Sequence, residues 1–175
     1  MHFLKNSTTA VAATTRVIAG GKTTLPLYHD AEERIKFNLR RIESGDHPSM
    51  LAIGFLTETQ LHELNVGRNN LDLHLLDQNE IVFIGRHIFN SRSKEGYSID
   101  DIVEQIVSAL SHSSVVSISR AWSRIDNPIP RADRYGNLVK DRGIFEMTAK
   151  KPRAELFSVM PKGDNIKPIN IKKPT

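Results

Sequence analysis

The sequence predicts an α+β domain, with amino-terminal helices followed by a helix packed on a small antiparallel sheet. Two helical periods and a late cluster of strands predict it. Ala31, Ile35, Leu39 and Ile42 recur at helical spacing, and so do Ile99, Ile102, Val103, Ile106, Val107 and Leu110. The short strand-like runs gather after residue 80, giving the order of helices first and antiparallel strands last. A chain of 175 residues that is 39% apolar suits one domain with a real core.

Residues 1–28 are rich in Thr, Ala and Gly without a sustained period, and read as a flexible or partner-docked arm. Gly20-Gly21-Lys22-Thr23-Thr24 looks like part of a phosphate-binding loop, but Arg16 stands where the first glycine belongs and Pro26 interrupts the following helical turn. Residues 29–79 read as a helical region. Asp30 and Glu33 form a variant capping box for a helix from about 30 to 43, and Gly45 and Pro48 stop it. Met50 to Phe55 reads as a strand. Thr57 and Gln60 form a second capping box, opening a short helix through Leu61, Leu64 and Val66.

Residues 80–162 read as the α+β core. Ile81, Val82, Phe83 and Ile84 make a continuous apolar strand covered on both faces. Gly85 lets the backbone bend, so that Arg86 and His87 emerge at the strand's end, and a short polar segment adds Arg92 and Lys94. Ser98 and Asp101 then cap the second periodic helix. Val115 to Ile118 is a β-branched strand, prolines 128 and 130 end regular structure, and Asp133 to Asn137 is a turn with Gly136 at positive φ. Gly143 to Thr148 and Ala154 to Met160 form an antiparallel hairpin with the basic tip Ala149 to Arg153. Residues 163–175 are a basic, Pro-containing tail.

Composition narrows the chemistry. There is no cysteine, which removes disulfides, zinc-thiolate sites and thiol catalysis, and the seven histidines form no HExxH or HxxxH pair. No metal and no cofactor is expected. The first residues lack the apolar core of a signal peptide, and no run approaches the roughly 20 apolar residues a bilayer requires, so a cytoplasmic protein without a membrane role is expected. Net charge is +4, and residues 140–175 hold nine Lys/Arg against four Asp/Glu, about +5 in that segment. An anionic partner fits this balance.

Glu80 to Leu110 concentrates the reactive groups. Metal-free RNA cleavage needs a base for the 2′-hydroxyl, an acid for the leaving oxygen and cations for the phosphate. Histidine suits the first two, since a free imidazole titrates near about 6.5. Arginine and lysine suit the third. His87 between Arg86 and Arg92 is the candidate base. The competing structural reading is that His87 caps a strand while Arg92 pairs with Glu95 or Asp100. Arg131, Arg134 and Tyr135 at the turn, with Lys150, Lys151 and Arg153 at the hairpin tip, could lie along a phosphodiester backbone.

The succession EIVFIGRHIFNSR, an amphipathic helix ending in SAL, VVSIS, and then GIFEMTAKKPRAELFSV resembles the small nuclease fold of the barnase, EndoU, colicin and RelE grouping, especially its phage-borne branch. The resemblance covers roughly residues 80 to 162. It implies a helix on a short antiparallel sheet and a metal-independent, toxin-like ribonuclease, possible substrates including tRNA, neutralised by a cognate acidic immunity or antitoxin protein. His87, Ile88 and Arg92 would occupy the grouping's histidine, isoleucine and arginine places. The second histidine of that pattern is missing, since Ser91 and Arg92 stand there, and the proton donor falls to Arg92 or Tyr135. Arg86, Lys94, Arg134, Lys150, Lys151 and Arg153 would hold substrate. The alternative is a non-catalytic module that uses the same basic surface on nucleic acid or a protein.

Overall fold

In the computed structural model, residues 25–111, 114–118, 122–146 and 153–163 are described, with the backbone alone at 114–118, 122–123 and 145–146. Two of the three expected caps form as the sequence implies. Thr57 Oγ1 accepts the Gln60 N–H and the Gln60 side chain accepts the Thr57 N–H, opening α2 (Glu58–Asn70). Ser98 and Asp101 exchange the same pair of bonds ahead of α4 (Ile99–Ser111). The third differs. α1 (Ala31–Glu43) has no side-chain cap: Asp30 takes φ −102°, ψ 21° in place of the extended geometry of a capping residue, and its carboxylate accepts from Arg34 Nε at 3.0 Å, one turn along the helix.

The strands are β1 (Leu51–Phe55), β2 (Glu80–Phe83), β3 (Ser114–Ile118), β4 (Trp122–Asp126), β5 (Arg131–Ala132), β6 (Leu138–Glu146) and β7 (Ala154–Lys162). They form the order β1-β2-β7-β6-β4-β3, with β5 paired to β6. The fold is α+β, and the sheet is mixed: β2 and β7 run parallel, Ile81 opposite Ala154 and Phe83 opposite Leu156, while every other pair is antiparallel. The sheet is therefore larger than the small antiparallel one expected. β1, from the amino-terminal part, is a member of it, and Pro26 to Tyr28 lie along β1 through Tyr28 N–H to Ile53 O and Phe55 N–H to Pro26 O.

Ile81, Val82 and Phe83 are buried in succession, as a strand flanked on both sides and covered on both faces must be. One apolar cluster joins Ile35, Leu39, Ile53 and Leu64 to Ile88, Ile102, Ile106, Leu156 and Val159, so residues 29–79 and 80–162 share a core. Asn38, fully buried on α1, ties helix to sheet: its Nδ2 donates to Ser49 O (2.6 Å) and Ile84 O (3.1 Å), and its Oδ1 accepts from Ser49 N–H. Among the described residues no helix is long and apolar enough to cross a membrane.

The stretch after β2, expected as a bend and a polar connection, is a helix, α3 (Arg86–Lys94). Gly85 starts it with φ 97° in place of a polar cap. The fit is tight, since a Cβ at this position would meet the buried Phe83 ring at 2.6 Å. Gly85→Ala combines left-handed strain with this clash, so it is expected to lower stability by more than about 2 kcal/mol in urea denaturation. A variant as stable as the parent would show that α3 starts differently.

Candidate functional site

α3 sorts its residues by helical angle. At about 100° per residue, Arg86, Asn90, Lys94, His87 and Ser91 share one arc of about 140°, and Ile88 and Arg92 lie opposite. Burial follows the arc: Arg86, His87, Asn90 and Lys94 are exposed, whereas Ile88 is fully buried. His87 therefore stands in the open on the same face as two cations. Arg86 and Lys94 have no ion-pair partner among the described residues. The first turn of α3 holds no acidic residue, and its leading N–H groups lack acceptors within the helix, so this end is electropositive.

The imidazole is braced. It stacks on Phe157 of β7 with ring centroids 4.3 Å apart and planes 12° from parallel, and Ser91 Oγ lies 3.4 Å from its Nε2. Phe157 is where the β6–β7 ladder slips: Ile144 faces Ser158 and Phe145 faces Leu156, which leaves Phe157 as the extra residue of a bulge. Its neighbours Leu156 and Ser158 are both buried while it is 38% exposed.

Arg92 belongs to a second group on the inner side of α3. Its side chain is 11% exposed and its Nη1 contacts Glu95 Oε1 at 2.8 Å, the pairing that the competing sequence reading foresaw. Beside it, the buried Tyr97 meets Tyr135 edge to face at 6.4 Å. Arg134 Nη2 donates to Tyr135 Oη (2.8 Å) and pairs with Asp101 at 3.1 Å. The turn that carries Arg134 and Tyr135 is closed as expected, by Asp133 N–H to Asn137 O and Gly136 at φ 86°. This turn is thereby clasped to the junction of α3 and α4.

The expected residues therefore fall into two groups: Arg86, His87 and Lys94 on the outer face of α3, and Arg92, Arg134 and Tyr135 on the inner one. Arg131 joins neither. Its guanidinium donates twice to the fully buried Asp141, at 2.6 and 3.1 Å, and lines a cleft of about 470 Å³ with Lys36, Asp100, Val103, Glu104 and Val107. Arg153 pairs with Glu155 at 3.4 Å. Lys150 and Lys151 lie outside the described residues, as do the Gly20 to Thr24 segment and the side chains of Trp122 and Glu146. Ser158 is buried, opposite Ile144. His62 is half-buried on α2, and His74 is exposed.

Phe157, Ser91 and Tyr97 escaped the sequence reading. The consecutive Leu156 and Phe157, one buried and one exposed between the buried Glu155 and Ser158, are the trace a bulge leaves in a strand. No known protein family, curated protein or solved structure matches this chain.

Tyr97 responds to its surroundings. Burial, reinforced by the negative charges of Asp133, Glu95 and Asp101 and opposed by Arg92, pushes its phenol up to about 12. An unfolded tyrosine ionises near about 10. The folded state thus holds the proton more tightly, and the stability this confers is full below about pH 10 and is lost as pH rises to about 12. Denaturation of the parent and Tyr97→Phe between pH 9 and 12 is expected to show a steeper decline in the parent; parallel profiles would contradict the assignment.

Proposed function

We propose that the protein is a metal-independent endoribonuclease whose working surface is the outer face of α3. His87 takes the proton of an RNA 2′-hydroxyl, the freed oxygen attacks the adjacent phosphorus, and the 5′-oxygen leaves, giving a 2′,3′-cyclic phosphate and a 5′-hydroxyl end. Arg86 and Lys94 contact the phosphates on either side of the attack, and the electropositive start of α3 favours the same anion. One observation carries the reading: the His87 ring is exposed, held by Phe157 and Ser91, and shares its helix face with two cations that have no ion-pair partner among the described residues. The order of elements likened above to the barnase, EndoU, colicin and RelE grouping adds support. The leaving 5′-oxygen takes its proton from water, since Arg92 and Tyr135 both lie on the inner side of α3, away from His87. On this reading the partners are RNA and an acidic cognate antitoxin or immunity protein, met in the cytoplasm.

A second reading is binding without cleavage. The pairing of Arg92, Arg134 and Arg153 with Glu95, Asp101 and Glu155 favours it, because it takes those cations out of the set that would stabilise a cleavage transition state, while Arg86 and Lys94 still suffice to hold an anion.

Incubation with tRNA and total RNA in EDTA separates the two. On the first reading RNA is cut, and His87→Ala lowers the rate by about 100- to 10,000-fold. Intact RNA, or cutting that survives His87→Ala, removes that role. In the same assays, Arg86→Ala with Lys94→Ala is expected to weaken RNA binding and to flatten its dependence on log salt by about 1.4, two contacts at about 0.7 each. Unchanged affinity and slope would take α3 out of either reading.

A further inference from the structure

We propose that Phe157 is a positioning residue for His87, and that the bulge in β7 exists at this point to deliver its ring. The inference rests on the reading of the outer face of α3 given above. A histidine on an exposed helix face ordinarily explores several rotamers, and a base that must meet a 2′-hydroxyl within hydrogen-bond reach gains nothing from that freedom. Two contacts remove it here. The Phe157 ring lies flat against one face of the imidazole, 4.3 Å away and 12° from parallel, while Ser91 Oγ borders the Nε2 edge at 3.4 Å. Ser91 shares the helix with His87 and would accompany it in any fold. Phe157 comes from a strand 70 positions along the chain (157 − 87 = 70), and it reaches His87 from the ladder position where β7 holds two residues against one of β6. In a regular ladder each residue of β7 would face one partner on β6; the slip frees Phe157 from that constraint and leaves its aromatic ring 38% exposed beside α3. Phe157 thus acts through His87.

The test uses Phe157→Leu, which keeps an apolar side chain of similar bulk and removes the ring, and Phe157→Tyr, which restores it. Both are compared with the full chain by thermal denaturation, by the NMR shifts of the His87 ring protons, and by cleavage of tRNA. The expected result is that Phe157→Leu melts close to the parent, loses the upfield ring-current shift of the His87 protons, and cuts with a kcat lower by about 10- to 100-fold at little change in KM. Phe157→Tyr is expected to recover the shift and most of kcat. A ring shift unaltered by Phe157→Leu overturns the proposal, and so does an unchanged kcat in a protein that His87→Ala inactivates. If the parent cuts no RNA, the ribonuclease reading fails by itself, and the ring shift decides whether Phe157 orients His87.

Discussion

Three residue pairs, Ile81 with Ala154, Val82 with Glu155 and Phe83 with Leu156, join β2 to β7 in parallel, and the placement of the candidate site depends on them. Parallel neighbours cannot be linked by a tight turn, so the chain must leave β2, cross the sheet and return. α3 is the first piece of that crossing, and it comes down against β7. Asn38 holds the exit by binding the Ile84 carbonyl, and Gly85 turns the chain at φ 97° directly over the Phe83 ring. The helix therefore has little choice of direction, and the stack between His87 and Phe157 is a product of strand pairing as much as of the two rings.

The distribution of charge makes the same division. Several arginines that approach the body of the protein meet a carboxylate, Arg34 with Asp30, Arg92 with Glu95, Arg131 with Asp141, Arg134 with Asp101 and Arg142 with Asp126, whereas the fully buried Arg68 donates from Nε to the His74 carbonyl. The Arg131 pair matters most, because Asp141 is fully buried and would cost several kcal/mol if left alone. The exposed pairs contribute little each. Among the described cations outside these pairs, Arg86 and Lys94 share the outer face of α3, while Arg40, Lys140 and Lys162 are exposed elsewhere.

Sequence periodicity exposed the parts of this fold that obey local rules. α1 and α4 carry apolar residues at three- and four-residue spacing, α2 and α4 have reciprocal caps, and the β6–β7 hairpin sits between recognisable turns. α3 was hidden for a physical reason. It has nine residues, only Ile88 deep in the core, and a glycine where Ser, Thr, Asp or Asn usually caps, so neither period nor cap marks it. The parallel pairing was hidden because an apolar run such as Ile81 to Phe83 reports that it is buried but not beside which strand. At the site, the sequence pointed to His87, Arg86 and Lys94. It also grouped Arg92 with them through proximity in the chain, which a helix converts into opposite faces.

The distance along the chain between β2 and its parallel neighbour also sets a timetable. Ala154 follows Ile81 by 73 residues (154 − 81), and a ribosome adding about 5 to 20 residues per second needs roughly 4 to 15 seconds to bridge that gap. During that interval β2 has β1 on one side and a bare edge on the other, with Ile81, Val82 and Phe83 in a row along it. Unpaired apolar edges recruit other strands. The nascent chain thus passes through a stage at which shielding by other proteins matters more than it does for the finished fold, and the residues that end this stage, Ala154 to Leu156, immediately precede the bulge at Phe157.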